Sequence, residues 1–329
     1  MLFIDNGNSH DPSWNLALEE YALRNLAGEQ DFLLFYINEP SIIIGKNQNT
    51  AEEVNAEFVE RNGIRVVRRL SGGGAVYHDL GNLNFSFITR DDGKSFHNFR
   101  KFTEPVVEAL RKLGVDAELT GRNDLQVGER KISGNAQFAS KGVMFSHGTL
   151  LFHSEVDAIV SALNVNPAKF ESKATKSVRS RVANISEFLK EPLTMEQFKA
   201  FILESVFGSG VDVPEYRLTE ADQAGIRKLA DERYRNWDWN YGRSPKFNVR
   251  QVKRLSAGTY DVRLLVEGGV IAEASVFGDF FGTGEVSDVT ARLAGVKYDA
   301  ASVEEALKDV DLTVYFGPVD RGEWLALLF

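Results

Sequence analysis

Apolar and polar positions alternate along this chain in a way that predicts a run of short strands and helices. Asp11-Pro12 supplies an N-cap and a first helical position, and Trp14, Ala17, Leu18 and Tyr21 then share one helical face as far as Gly28. Residues 32–37 and 41–44 are apolar runs joined at Glu39-Pro40, with Gly45 ending the second, and predict two strands. A helix is expected over 51–61, followed by a strand led by Ile64, Val66 and Val67; Leu83, Phe85 and Phe87 alternate along a further strand. A helix over 103–113, with Pro105 in its first turn and Gly114 as its stop, precedes strands at 116–119, 125–127, 131–138 and 143–152. The only tight turn among these is read at Val127-Gly128-Glu129-Arg130, so the strand carrying Lys131 leaves a hairpin. Leu193-Thr194 with Gln197 and Phe198 combines a capping box with a hydrophobic staple and predicts a helix from Met195 towards Gly208.

The pattern changes after residue 242. Tyr260, Val262, Leu264 and Val266 alternate, Gly268-Gly269 forms a two-residue hairpin turn, and Val270, Ala272, Ala274 and Val276 alternate again. Ser302 with Glu305 is a further capping box. The expected architecture is α+β in two domains, residues 1–243 and 244–329, linked at Arg243-Ser244-Pro245.

Composition narrows the function classes. At 329 residues and 43% apolar, the chain can pack a sizeable core. Its 38 basic and 47 acidic residues give a net charge of −9, which argues against nucleic-acid binding. The absence of cysteine removes disulfides, thiolate metal sites and thiol nucleophiles. No signal-like leader or membrane-length apolar run is visible, so a cytoplasmic protein without a membrane partner is expected. Glu19 and Glu20 read as surface charges, the usual place for carboxylates.

The densest candidate chemistry is RRLSGGGAVYHDLGNLNFSF, residues 68–87. Gly72, Gly73 and Gly74 can take positive φ and let a ligand lie against backbone N–H groups. Arg68 and Arg69 precede them, and Ser71, His78, Asp79, Asn82 and Asn84 crowd the same stretch beyond what a hairpin needs. No Gly-Lys-Ser/Thr follows, so this is not a P-loop, and no helix follows, so it is not a dinucleotide fingerprint. Two basic stretches, Arg61/Arg65/Arg68/Arg69 and Lys169/Lys173/Lys176/Arg179/Arg181, flank this anion cradle and favour a nucleoside triphosphate or an acidic protein.

These residues carry a resemblance. RRLSGGGAVYHDLGN is similar to the lipoate-binding loop of the lipoate-protein ligases, and GRNDLQVGERKISGNAQ (121–137) resembles the segment holding their catalytic lysine. NLALEE (15–20), HGTLL (147–151), SVRSRVANI (177–185) and WDWNYG (237–242) extend the similarity in the family's order. The resemblance implies a catalytic domain with the mixed, largely antiparallel sheet of the biotin and lipoate ligases, followed by a small α+β domain acting as a lid. It implies that lipoate and ATP form lipoyl-AMP with loss of pyrophosphate, and that an acceptor lysine then takes the lipoyl group as an amide. Lys131 becomes the catalytic residue. Arg69, Gly74, Ala75, Val76, Tyr77, Asn82, Asn123, Asp124, Lys131, Ser177 and Arg179 fall to the nucleotide, with Asp124 as the Mg²⁺ ligand. Leu16, Leu18, Glu20, Tyr36, Arg69, Ser71, Gly72, Gly73, His78, Lys131, His147 and Thr149 fall to the lipoyl group. The implied acceptors are lipoyl domains of 2-oxoacid dehydrogenase E2 subunits or the glycine-cleavage H protein, served by a monomer.

Tyr36 and Phe138 depart from the best-known bacterial pattern, which has Trp and Arg there. Three other readings stand beside the ligase. An octanoyl or lipoyl transferase works through an acyl-cysteine, for which this chain has no thiol. A biotin ligase would carry a Gly-Arg-Gly-Arg repeat, which is missing. A related protein could use only preformed lipoyl-AMP.

Overall fold

The structure is a computed structural model that describes residues 1–163, 181–242 and 247–329. The chain runs β1 (Leu2–Asp5), α1 (Pro12–Tyr21), β2 (Phe32–Tyr36), β3 (Ser41–Ile44), α2 (Ala56–Arg61), β4 (Arg65–Arg68), β5 (Val76–His78), β6 (Asn82–Arg90) and α3 (Phe99–Lys112). It continues through β7 (Glu118–Thr120), β8 (Asp124–Val127), β9 (Arg130–Ser140), β10 (Val143–Leu151), α4 (Met195–Phe207), β11 (Glu215–Tyr216) and α5 (Glu220–Leu229). The last part comprises β12 (Val249–Leu255), β13 (Gly258–Glu267), β14 (Val270–Gly278), α6 (Val286–Leu293) and α7 (Ala300–Leu307), with shorter helices to the end.

Eight strands form one mixed sheet in the order β11-β1-β2-β6-β10-β9-β8-β7. Its central strands are covered on both faces, which is why β2 reads as the unbroken apolar run FLLFY. Leu33 and Phe35 enter the core beneath α3 and α4, whereas Phe32, Leu34 and Tyr36 enter the core with α1 and α5. A second sheet, β4-β3-β5, lies over the latter side. Alternation sends Ile43 and Val67 towards the large sheet, and Ile42, Ile44 and Val66 into a cluster of their own. The mixed sheet and α+β class match the expectation. The β12-β13-β14 sheet has a separate core, including Tyr260, Phe280, Phe316 and Trp324.

Local departures have identifiable causes. The helix expected at 51–61 is broken: Thr50–Glu53 and Ala56–Arg61 are separate, because Val54 leaves to bridge Leu163 and Asn55 caps α2 through Phe58 N. The 103–113 helix begins earlier, at Phe99, capped by Asn98, so Pro105 lies inside it. A second tight turn connects β9 to β10, with Lys141 and Gly142 both at positive φ. Asp299, not Ser302, caps α7, and the Ser302 amide donates to its carboxylate. The Thr194 capping box is present, and Gly208 ends that helix at φ 106°. Among the described residues no helix is long and apolar enough to cross a membrane.

Candidate active site

The glycine bend is a crossing, not a hairpin. Parallel pairing sets Ile44 beside Arg68, and antiparallel pairing sets Ile43 beside Val76, so β4 and β5 flank β3 and the bend must pass over its end. Gly45 stands where it passes. A Cβ there would lie 1.9 Å from the Gly73 carbonyl oxygen, so any side chain would push the loop away. Of the three glycines only Gly73 takes positive φ, 91°. Gly72 is required for another reason: its Cβ would meet the Phe280 carbonyl oxygen at 2.2 Å.

The two arginines part company. Arg69 lies under the loop and donates from Nε to Ser71 Oγ (2.9 Å), from Nη1 to Ile43 O (3.0 Å) and from Nη2 to Gly72 O (2.7 Å) and Gly74 O (2.8 Å). Because a trans peptide holds C=O and N–H in opposite directions, the Gly73 and Ala75 N–H groups point away from the guanidinium. Burial lowers the Arg69 pKa to about 10, which leaves the group cationic at neutral pH. Arg68, one residue earlier and therefore on the other face, donates to the carbonyls of Gly45, Lys46, Gln48, Trp239 and Asn240. Its role is to tie the WDWN helix to the exit of β3. The basic stretch inferred from sequence is thus divided, since Arg61 pairs with Glu57 and Arg65 with Asp11 and Glu39.

The large sheet supplies the opposite wall. Tyr36, Asn84 and Thr149 are register partners across β2, β6 and β10, and Gly134 N donates to Thr149 Oγ1 (3.1 Å) to extend the row into β9. At its far end Lys131 folds over Gly134, where a Cβ would come within 3.1 Å of Nζ. Lys131 Nζ also contacts Asp124 Oδ1 at 2.8 Å, and both side chains remain about one-third exposed. Asn123 exchanges hydrogen bonds with Asn135 through O and Nδ2, fixing the turn before Asp124. Ala183 N donates to Lys131 O, which docks the end of the SVRSRVANI segment on the same strand.

Between the sheets lies a narrow cavity of about 120 Å³. Leu16, Ile43 and Val76 make its apolar sides, with Tyr36 towards one end and Lys131 towards the other. Two buried histidines face it. His147 Nδ1 lies 2.9 and 3.1 Å from the Glu19 carboxylate, and its Nε2 lies 2.7 Å from Ser71 Oγ. This order of groups matches an acyl-transfer relay. Ser71, however, is fully buried and its Oγ already accepts from Arg69, so the relay braces the guanidinium and presents no nucleophile. His78 is held neutral: burial first, then Arg69 and His147, lower its pKa to about 3.

Of the residues singled out from sequence, Leu16, Tyr36, Arg69, Gly73, Gly74, Ala75, Val76, His78, Asn123, Lys131, His147 and Thr149 line this cavity. Others stand back from it. Leu18 is in the core, Asn82 Nδ2 donates to Asn84 Oδ1, and Tyr77 turns to the Ile42/Ile44 cluster. Ser71 acts through His147, Gly72 faces Phe280, and Asp124 reaches the site through Lys131. Glu20 points away, receiving Arg24 Nε (2.6 Å), Arg233 Nη1 (2.8 Å) and Tyr234 OH (2.8 Å). Ser177 and Arg179 lie outside the described residues, as does the Arg243-Ser244-Pro245 linker. The surface reading of Glu19 and Glu20 is corrected, since both are buried against basic or histidine partners. Ile43 is not singled out from sequence, Glu19 reads there only as a surface charge, and Asn84 is noted for the polar density of its stretch without a role. The alternation of β6 carried a signal for Asn84, which sits on the face opposite Leu83 and Phe85.

The model of the lipoyl protein ligase A/B catalytic domain family matches residues 11–207, and that of the bacterial lipoate protein ligase C-terminus matches 244–328. The chain is 59% identical over 331 residues to lipoate-protein ligase LplJ of Bacillus subtilis (strain 168), covering all of both chains. Among solved structures, P. falciparum LipL1 in complex with lipoate matches in fold with a TM-score of 0.78 at 24% identity, over 99% of this chain and 97% of that one. A lipoate-protein ligase A bound with ATP matches at 0.62 and 32% identity, over 74% and 97% of the two chains. An archaeal bipartite lipoate protein ligase, described with its E2 lipoyl domain from Thermoplasma acidophilum, matches at 0.63 and 36%, over 75% and 97%.

Proposed function

We propose, from the premise that this chain belongs to the lipoate-protein ligases, that its cavity takes the acyl chain of lipoate with the carboxylate at Lys131 and the distal ring towards Tyr36. The chain is an ATP-dependent lipoate-protein ligase. The observation that carries the placement of substrate is the row Tyr36–Asn84–Thr149–Gly134 across four neighbouring strands, which ends under the Lys131 ammonium. Three interstrand spacings give about 14 Å, long enough for an extended medium-chain acid. The cavity's volume suits the acyl chain but not a nucleotide as well, so ATP belongs at its mouth, beside Lys131 and the outward Gly73 and Ala75 amides.

In the first step a lipoate carboxylate oxygen attacks the α-phosphorus of ATP and pyrophosphate leaves. Two anions must approach each other, and the Lys131 ammonium together with loop N–H groups offsets their repulsion. In the second step an acceptor lysine amine attacks the acyl carbonyl, AMP leaves with the bonding pair, and the amine loses a proton. Lys131 then faces the developing oxyanion or the departing phosphate. Asp124 provides a carboxylate of the kind Mg²⁺ uses alongside phosphate oxygens, and a bound Mg²⁺ would supply charge neutralisation at the triphosphate. The acceptors are lipoyl domains of E2 subunits or the glycine-cleavage H protein.

Pyrophosphate release from lipoate, ATP and Mg²⁺ without any acceptor protein is expected. Acceptor lipoylation from synthetic lipoyl-AMP with no release of pyrophosphate from ATP would instead favour a protein restricted to the second step.

A further inference from the structure

Phe280 and Phe281 are adjacent but belong to different parts of the protein. Phe280 is fully buried in the core of the β12–β14 unit, stacked on Tyr260 at 4.8 Å and set edge-on to Phe316. Phe281 leaves that unit. It is only 2% exposed, yet it clusters with Phe99 at the start of α3 and Ala136 on β9, and the Phe99 ring lies 5.8 Å away. A large planar ring buried in close-packed surroundings has little room to shift, so its position fixes that of whatever rests on it.

Two segments proposed for the nucleotide rest on this ring. The glycine loop runs along its edge: a Cβ on Gly72 would come 3.1 Å from Phe281 Cδ1, and one on Gly73 would come 3.1 Å from Cζ and 3.3 Å from Cε1. Over the face of the same ring lies the Arg122 guanidinium, 4.5 Å from the centroid, which also donates to Ala257 O and to Asp279 O (3.3 Å). Arg122 opens a turn whose next two residues go elsewhere. Asn123 is tied to Asn135 on β9, and Asp124 Oδ1 holds Lys131 Nζ at 2.8 Å. Leu119, just before the turn, packs on the Phe99 and Ala136 cluster. One side chain of the C-terminal unit therefore touches both the loop that offers the Gly73 and Ala75 amides and the turn that aims Asp124 and Lys131.

We propose that Phe281 is a positioning residue that sets the separation between the glycine loop and the 121–124 turn, and with it the width of the nucleotide site between them. This rests on the ligase reading above. The loop amides and the Asp124–Lys131 pair meet the phosphates, and Phe281 acts through them. A spacing fixed in advance spares ATP the cost of ordering two separate segments as it binds. The acyl row is set by the pairing of β2, β6 and β10 and does not depend on the ring.

Phe281→Ala keeps Phe280 and the core of the β12–β14 unit. In the intact protein, backbone amides of 72–75 and of 121–124 are expected to exchange hydrogen faster together. The KM for ATP in pyrophosphate release should rise ~10-fold, the order set by leaving about one side chain's worth of ordering to the ligand, and the KM for lipoate should rise less. Phe281→Leu, which keeps apolar bulk but offers no ring face, should shift the KM for ATP in the same direction by a smaller factor, and it serves if the alanine variant folds poorly. Arg122→Ala combined with Phe281→Ala should raise the KM for ATP by less than the product of the two single effects, because both remove one shared contact. An unchanged KM for ATP in both Phe281 variants, equal rises for ATP and lipoate, faster exchange in only one of the two segments, or a fully multiplicative double variant would overturn the spacer. Absence of lipoate-dependent pyrophosphate release in the wild type would count against the ligase reading, while hydrogen exchange still decides whether one ring holds both segments.

Discussion

Lys131 shows how a single charge acquires a role from its surroundings. Its ammonium is held by Asp124 at 2.8 Å, lies over a glycine, and ends a row of cavity residues, so it is aimed while still reachable. An amide formed on it would be a dead end, so the role proposed for it is electrostatic. Lys131→Met keeps the length and removes the charge. Loss of one donor that acts in the transition state typically costs about 10²- to 10³-fold in rate. Pyrophosphate release and transfer from synthetic lipoyl-AMP, measured separately, should both fall by that order, and ATP binding should fall less because Arg69 and the loop amides remain. Near-normal rates in both assays would remove Lys131 from the chemistry. Asp124 would also be freed of its cation, so an altered Mg²⁺ requirement is expected to accompany the rate loss.

At the scale of elements, β3 decides where the loop lies. It pairs in parallel with β4 and antiparallel with β5, and its last residue is followed by the one glycine that lets the bend cross. Gly45→Ala is expected to destabilise the protein by about 1–3 kcal/mol, the usual cost of forcing atoms into a packed place. It should also raise the KM for ATP, since moving the Gly73 carbonyl turns the neighbouring amides. Gly74→Ala, with nothing within 4 Å of the added methyl, should change stability by no more than about 0.5 kcal/mol. Urea unfolding of the two variants separates them, and equal midpoints would show that the crossing tolerates a side chain.

For the molecule as a whole, the β12–β14 unit rests directly on the glycine loop. Phe280 and Phe281 meet Gly72 and Gly73, Arg122 stacks on the Phe281 ring at 4.5 Å, and Gly278 N donates to Asn47 O. Lys46 reaches Glu285 at 3.0 Å, and Glu52 receives Arg263 and Arg250. We propose that residues 244–329 act as a lid over the nucleotide side of the site. Gly72→Ala would drive a methyl to 2.2 Å from Phe280 O and 3.1 Å from the Phe281 ring. Faster hydrogen exchange at the Gly278 amide is expected, with pyrophosphate release slowed more than transfer from lipoyl-AMP. Equal slowing of the two reactions would count against a lid.

Some of this was legible from residue order alone. The β2 run, the Thr194 capping box and the β13–β14 hairpin at Gly268-Gly269 depend on contacts within a few residues, so local periodicity and turn chemistry suffice to predict them. The lack of cysteine excludes an acyl-cysteine thioester on this chain. Other features were decided only by tertiary structure. Arg68 and Arg69 are adjacent and chemically identical, yet strand alternation sends one to brace Trp239 and Asn240 and the other beneath the glycine loop. Glu19 and Glu20 look alike in sequence, but only the first meets His147, 128 positions away, once the sheet has brought β10 to α1. Asn6, Asn15 and Asn38, from two loops and a helix, form one row of side-chain hydrogen bonds that ends on His78. A short-range pattern records which way the backbone turns, whereas the pairing of buried polar groups is set by what lies opposite after folding, and the chemistry of this site depends on that pairing.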